Sequence, residues 1–533
     1  MEQFGLLFAV PLLLATGLIL AALPPSGGET LYNGIELPSD WPPEGRRISR
    51  EPAPPPPYLT FPPAVIPIDV GRQLLVDDFL VHSTTLTRTH HTATYHPATP
   101  VLIADKPWEQ EGLPTAMPFS DGVWWDPAEG LFKLWYMGGY VKYTCYATSR
   151  DGLHWDKPEL DVVPGTNIVH TKTRDSSTVW LDLETQDADR RYVLQIYPHP
   201  DDGGAYEVYF SPDGIHWGER AVRTGAVGDR GTIFYNPFRK VWVWGIRWGV
   251  RDLGRMRLYR EGADLVSSAQ WERGAPTEWV GADDLDPRRE DLNTPCELYN
   301  LDCVAYESLL LGLFDVWRGQ PEDRAKPNEL CVGYSRDGFH WTRPDRRPFI
   351  PVSERYGDWN WGNVQSAGGC CLIVGDELWF YVSGRSGERG SKSSGHSVTG
   401  LATLRRDGFV SMDAGDEGGT LTTRPVTFSG RHLFVNADTS AGELRAEVLG
   451  EQGEAIAPFT REACIPVTAN STCARVTWQG ADDLSSLAGT PVRFRFHVRR
   501  GSLYAFWVSP EASGASHGYV AAGGPGFTGP RDE

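Results

Sequence analysis

The chain has 533 residues, 40% of them hydrophobic and 22% charged, enough for a sizeable core and for more than one domain. Its net charge of −19 excludes nucleic acid and an anionic membrane surface as partners, because like charge repels a polyanion, and leaves a neutral or cationic ligand easier to accommodate. The 58 Gly, 41 Pro and 20 Trp suit many short strands joined by turns.

Phe4 to Leu23 is an uncharged apolar run. About 20 such residues can span a bilayer, whereas the core of a signal peptide is usually shorter. Residues 1–24 therefore read as a signal peptide or a membrane anchor. The run alone leaves both open. Either places the protein outside the cytoplasm: secreted, periplasmic or tethered to the membrane. Residues 25–65 read as a linker, because Pro42-Pro43 and Pro54 to Pro57 impose extended polyproline geometry on a stretch with little apolar surface.

One seven-residue phrase then occurs three times: Ser149-Arg150-Asp151-Gly152-Leu153-His154-Trp155, Ser211-Pro212-Asp213-Gly214-Ile215-His216-Trp217 and Ser335-Arg336-Asp337-Gly338-Phe339-His340-Trp341. Each follows a run with strand-like alternation, and Asp-Gly is the chemistry of a tight turn. The first two copies start 62 residues apart and the last two 124 apart, which hides one more unit between them. Worn copies stand at Leu258 to Asp264 and at Leu404 to Phe409. Five units of this length, each with room for four strands, predict a five-bladed β-propeller over residues 66–412. Leu74 to Val81 is expected as an early propeller strand.

Beyond the propeller, Leu421 to Pro425, His432 to Asn436, Leu444 to Leu449 and Val492 to Val498 read as strands. Alternation in Val492-Arg493-Phe494-Arg495-Phe496-His497-Val498 is strict. A one-sided sheet needs a partner, so residues 413–512 are predicted to form a C-terminal β-sandwich, with 513–533 as a flexible tail. The fold class is all-β. Of the eight cysteines, Cys464 and Cys473 are close enough to pair across a hairpin after export, while Cys370 and Cys371 read as buried packing residues.

Chemistry in a propeller gathers where the inner strand of each blade begins. The openings are Asp121-Gly122-Val123, Asp175-Ser176-Ser177, Asp229-Arg230-Gly231, Pro295-Cys296-Glu297 and Trp361-Gly362-Asn363-Val364-Gln365. A ring of Asp121, Asp175, Asp229 and Glu297 around one axis pushes at least one pKa upward and keeps one carboxyl protonated as a general acid. Glycoside hydrolysis needs such a pairing. Arg230, Trp248, Tyr299, Trp359, Trp361 and Gln365 lie near the same openings, and aromatic rings stack on sugar faces.

The blade number, the sandwich and the acid ring resemble the five-bladed glycoside hydrolases of families 32 and 43. That resemblance implies a hydrolase acting on neutral poly- or oligosaccharide, with Asp121 as nucleophile or base, Asp229 as modulator and Glu297 as proton donor; Asp175, Arg230, Trp248, Tyr299, Trp359, Trp361 and Gln365 complete the substrate-binding set. The family 32 phrases are degenerate here: Phe119-Ser120-Asp121-Gly122 keeps only Asp and Gly, Asp229-Arg230 has its pair reversed, and so does Pro295-Cys296-Glu297. Two other readings stay open: a carbohydrate-binding propeller without catalysis, and a sialidase-like enzyme with a Tyr nucleophile and an arginine cluster drawn from Arg230, Arg247 and Arg251. No cofactor is expected, and a structural calcium is left open.

Overall fold

The computed structural model describes residues 28–199, 204–250 and 252–533. The apolar run Phe4 to Leu23 and Arg251 lie outside them. Five blades surround one axis. Blade one is Ala116–Asp126, Leu131–Gly138, Tyr143–Ser149 and Ile168–His170, each strand antiparallel to the next. Blade two is Arg174–Leu181, Tyr192–Pro198, Glu207–Ser211 and Val222–Arg223; blade three is Thr232–Asn236, Val241–Val250, Gly254–Gly262 and Thr277–Gly281. Blade four is Glu297–Glu307, Leu309–Trp317 and Asn328–Ser335, with Ile350 bridged to Leu330 in place of a full fourth strand. Blade five is Asn363–Ser366, Glu377–Arg385 and Ser397–Arg405, and Thr94–Tyr95 from the N-terminal side is its outer strand. That last pairing closes the ring. It ties the two ends of the propeller sequence together, so no blade edge is left to open.

The repeated phrase does the same work three times. In blade two the Ser211 hydroxyl accepts from the Gly214 N–H (2.9 Å), and Asp213 Oδ1 accepts from the N–H groups of Ile215 and His216 (both 2.8 Å). Burial works to raise the Asp213 pKa, but hydrogen bonds from His216, Ile215 and Ser211 hold it down at about 2. Gly152, Gly214 and Gly338 all have φ between 74° and 88°, which a side chain resists. Each turn docks on the preceding blade: the Trp135 indole N–H donates to the Gly214 carbonyl (2.7 Å), the Tyr381 hydroxyl to that of Gly152 (2.7 Å), and the Trp279 indole to that of Phe339 (2.8 Å). The repeat is thus a blade-to-blade fastener. Asp264 in blade three keeps its part, accepting from the Ser267 N–H at 2.8 Å.

The sandwich is larger than expected and borrows strands from before the propeller. One sheet runs Asn470–Arg475, His432–Asp438, Gly501–Ser509, Val410–Ala414, Thr87–His90, and the other Glu443–Leu449, Arg493–Arg499, Gly419–Thr423, Val81–Thr84. Gln73–Leu74 also pairs with Gly501–Ser509. Residues 66–90 therefore belong to the sandwich and not to blade one, because Phe79, Leu80 and Val81 share its core and not the propeller's. Alternation in Arg493–Arg499 is as predicted: Phe494, Phe496 and Val498 are buried, and Phe496 packs on Phe506 of the facing sheet with ring centroids 5.2 Å apart.

Two further expectations are corrected. The Pro-rich segment is no free linker: Leu31, Ile35, Leu37 and Tyr58 are buried, and the Arg50 guanidinium donates to the carbonyls of Asp252, Leu253 and Cys296 at 2.9–3.0 Å. Polyproline has no ladder to offer, so side chains fasten it. The C-terminal segment is no flexible tail either. Tyr519–Val520 pairs with Glu297–Glu307, and the Ala521 and Ala522 N–H groups donate to Ala305 and Cys371, so this segment seals the axis at the ends of the inner strands. Cys464 and Cys473 do not pair; Cys464 is buried in the sandwich core, while Cys473 faces Ser513 and Gly514. Cys370 and Cys371 are buried, as read.

Arg72 joins the two domains. Its guanidinium, 2% exposed, lies 2.9 Å from Asp407 and 3.4 Å from Glu307, stacks on Trp507 at 4.2 Å, and donates to the Thr472 carbonyl at 2.7 Å. Arg406 supplies the second cation to Glu307, at 3.0 Å. Arg72→Met should leave two buried carboxylates short of a partner and destabilise the protein by about 3–5 kcal/mol. Calorimetry should then show separate sandwich and propeller transitions where the wild type melts as one.

Candidate functional site

Blade one differs from the others at the axis. Met117 opposes Met137 but Gly122 opposes Trp135, so residues 118–121 bulge out of the ladder, with Ser120 at φ 64°. The inner strand begins at Ala116, several residues before the expected opening, and the bulge pushes Phe119, Ser120 and Asp121 into the channel. Ser120, fully buried, donates to Asp302 Oδ2 (2.9 Å) and accepts from Asn300 (2.8 Å) and Arg230 (3.2 Å). This is the floor of the site.

The bulge decides the fate of Asp121. Its carboxylate is fully buried, ion-paired with Arg174 at 2.8 Å and hydrogen-bonded by Ser177. Burial pushes its pKa up, against Arg174 and Ser177. Away from solvent and already matched, it is part of the channel wall and does not face a substrate. The strand opening where an acid was expected carries Met117, Phe119 and, from the neighbouring turn, Tyr140.

The other openings lie at the mouth. Asp175 is half-buried at the start of blade two, and its pKa is raised by burial and then by the charge of Asp229, against Arg230, Arg385 and Lys326. Ser176 Oγ donates to the Asp229 carbonyl at 2.9 Å, which stitches these two openings together. The Asp229 side chain is 50% exposed and 3.2 Å from Arg247. Glu297, 18% exposed, is paired with Arg255 at 2.6 Å. Arg255 stacks on Tyr299 at 5.2 Å, and Lys326 does so at 4.7 Å while donating to the Tyr299 hydroxyl at 2.9 Å. Arg230 lies 3.6 Å over the Phe119 ring and Arg385 4.9 Å from it. Asp175, Asp229, Arg230, Glu297 and Tyr299 are thus gathered at one end of the axis.

The remaining expected residues stand apart. Trp359 packs where an added Cβ on Gly384 or Gly400 would touch its ring, and stacks edge-on with Tyr95 at 5.2 Å. Trp361 is 7% exposed beneath Arg324 at 4.5 Å. Trp361 is a packing residue of blade five, and Trp359 packs there while bordering a cavity of about 420 Å³ with Tyr356, Ser386 and His396. Gln365 is fully buried and donates to Asn363 Oδ1 at 2.5 Å. Trp248 is half-buried beside Arg273 at the end of the second strand of blade three. Sequence reasoning missed Lys326, Arg385, Tyr140 and Asp315, which come from second strands and the connections that follow them, and Asp302, in the middle of the blade-four inner strand; no phrase marks any of these positions. Burial pushes Asp302 upward, and lifts Asp315 to about 7 in spite of Arg230 at 3.6 Å. Among the described residues no group of three or more His, Cys, Asp or Glu could hold a metal ion.

No family model and no curated protein matches the chain. Solved structures similar to it include an N-acetylgalactosamine deacetylase from F. plautii, 15% identical with a TM-score of 0.38 over 63% of this chain and 96% of that one. A thermostable family-43 glycoside hydrolase is 12% identical with a TM-score of 0.40, over 56% of this chain and 93% of its own. A fructofuranosidase from Schwanniomyces occidentalis is 10% identical with a TM-score of 0.33, over 76% and 98%.

A raised carboxyl binds its proton in the folded protein over a pH range where the unfolded chain has released it. Between about pH 4 and pH 7, Asp315 therefore costs stability as pH rises. Asp315→Asn, a mimic of the protonated acid, should gain relative to wild type on going from pH 5 to pH 8, by roughly 1–4 kcal/mol. Chemical denaturation at the two pH values checks this.

Proposed function

We propose that the protein is a glycoside hydrolase whose reaction takes place at the mouth of the propeller axis. The observation that carries this reading is the neighbouring pair Asp175 and Asp229, in which one carboxyl is raised by burial and by the charge of the other. A carboxyl raised by burial beside a second carboxylate is the pairing of acid and base that glycoside hydrolysis uses. Asp175 is the proton donor to the leaving oxygen. Asp229, half-exposed and held by Arg247, is the second carboxylate, which attacks the anomeric carbon or activates water. Glu297, oriented by Arg255, binds substrate hydroxyls, and Tyr299 offers a sugar-stacking face. This replaces the assignment of the proton donor to Glu297 and of the nucleophile to Asp121. Export, read from the apolar run Phe4 to Leu23, fits an enzyme that meets its polysaccharide outside the cell and remains part of the proposal.

A second reading, the sialidase-like hydrolase, is favoured by one observation. The Arg385 guanidinium draws the Tyr140 hydroxyl pKa down, with Lys326 helping and burial opposing, beside Asp175. A Tyr next to an acid is the nucleophile in that class.

A panel of glycans and aryl glycosides tests both. Asp175→Asn should lose about 10²- to 10⁴-fold in kcat on natural glycosides and recover on an aryl glycoside whose leaving group needs no proton. Asp229→Asn should lose activity on both. If Asp229→Asn keeps full turnover while Tyr140→Phe abolishes it, the second reading holds in place of the first.

A further inference from the structure

The charges at the mouth do not balance. Glu297 is matched by Arg255 and Asp229 by Arg247. That leaves Asp175 facing three cations, Arg230, Arg385 and Lys326. Among the described residues Lys326 and Arg385 are in no ion pair: Lys326 donates to the Tyr299 hydroxyl, and Arg385 Nη1 to Ser394 Oγ at 3.1 Å. Arg385 is 4% exposed, and its Nε has no hydrogen-bond partner. Arg230 is 2% exposed, its Nε and Nη1 are likewise unpartnered, and its nearest carboxylate, Asp315, stands at 3.6 Å. Asp302 and Asp315, on the floor, face Arg230 and not Lys326 or Arg385, and burial pushes both carboxyls up.

Cations taken out of water without a counter-charge are costly, and cation–aromatic stacking on Phe119, Tyr140 and Tyr299 recovers only part of that cost. A site kept in this state is completed by an anionic ligand group. Guanidinium groups meet carboxylate and sulfate oxygens with paired N–H donors. The overall charge of −19 points the other way at long range, repelling a polyanion, but at about 0.15 M salt it is screened beyond about 8 Å and contact charges decide.

We infer that the mouth of the propeller recognises a saccharide carrying a single oxyanion, a uronate carboxylate or a sulfate ester, seated between Lys326 and Arg385 and next to Asp175. This rests on the hydrolase reading above and names its substrate class, in place of the neutral saccharide that the family resemblance implies.

The test is calorimetric binding of matched probes to the full chain: glucuronate against glucose, galacturonate against galactose, and N-acetylglucosamine 6-sulfate against N-acetylglucosamine. At least one anionic probe should bind 10-fold or more tighter than its neutral partner, and the arm in which this happens identifies the oxyanion. Lys326→Gln should remove most of that preference and Lys326→Arg should keep it, and neither should lower the melting temperature. Equal binding within every pair, or a preference indifferent to Lys326→Gln, overturns the inference, and turnover of a neutral glycan alongside would leave the hydrolase reading standing. Tight, Lys326-dependent binding of an acid sugar with no cleavage of any glycan would support the recognition and overturn the hydrolase.

Discussion

A closed five-blade ring forces the starts of five strands onto one narrow axis, and every polar group there must find its partner inside the protein. The bulge at residues 118–121 meets that constraint. By stepping out of the ladder it delivers Ser120 to Asp302, Asn300 and Arg230, and Asp121 to Arg174 and Ser177. A ring without this plug would leave Asp302, Arg174 and Arg230 buried with fewer partners, which is more expensive than forming the pairs is profitable. The plug also divides the channel. Above it lies the half-buried mouth with Asp175, Asp229, Glu297, Lys326 and Arg385. Below it the axis is sealed by Tyr519 to Ala522, lined there by Trp124, Trp180 and Val304 around a cavity of only about 50 Å³.

The ring is held from outside as well. Residues before it and after it combine in the sandwich, so the chain leaves the sandwich, runs once round the propeller and returns. Arg72, Glu307, Arg406 and Asp407 stand where that circuit closes, and Glu307 is the last residue of the blade-four inner strand whose first residue is Glu297. One strand therefore runs from the interdomain ion cluster to the mouth.

The mouth shows why a total charge says little about a site. A net −19 is spread over the surface, whereas the groups at the mouth include Arg230, Lys326 and Arg385 around the one carboxyl of Asp175. Low-dielectric walls strengthen these short-range interactions relative to the distant surface field.

The sequence by itself determined the repeat, and through it the fold. The Ser-x-Asp-Gly phrases report their own turns, since Asp213 and Ser211 bond to backbone groups two and three residues away, and local chemistry of that kind is legible in a linear chain. The strict alternation of Arg493 to Arg499 revealed a one-sided sheet for the same reason. The openings at Asp175, Asp229 and Glu297 were found because each lies at or just before the start of a strand in register with its blade. What only the tertiary structure decided depends on long-range pairing. Nothing local distinguishes the 118–121 bulge, so Asp121 looked like its counterparts until Arg174 and Ser177 were placed beside it. Val81–Thr84 and Thr87–His90 could not be assigned to the sandwich without their partners more than 300 residues away. Lys326 and Arg385 carry no motif at all; they meet Asp175 only because blades four and five bring the ends of their second strands to the same mouth.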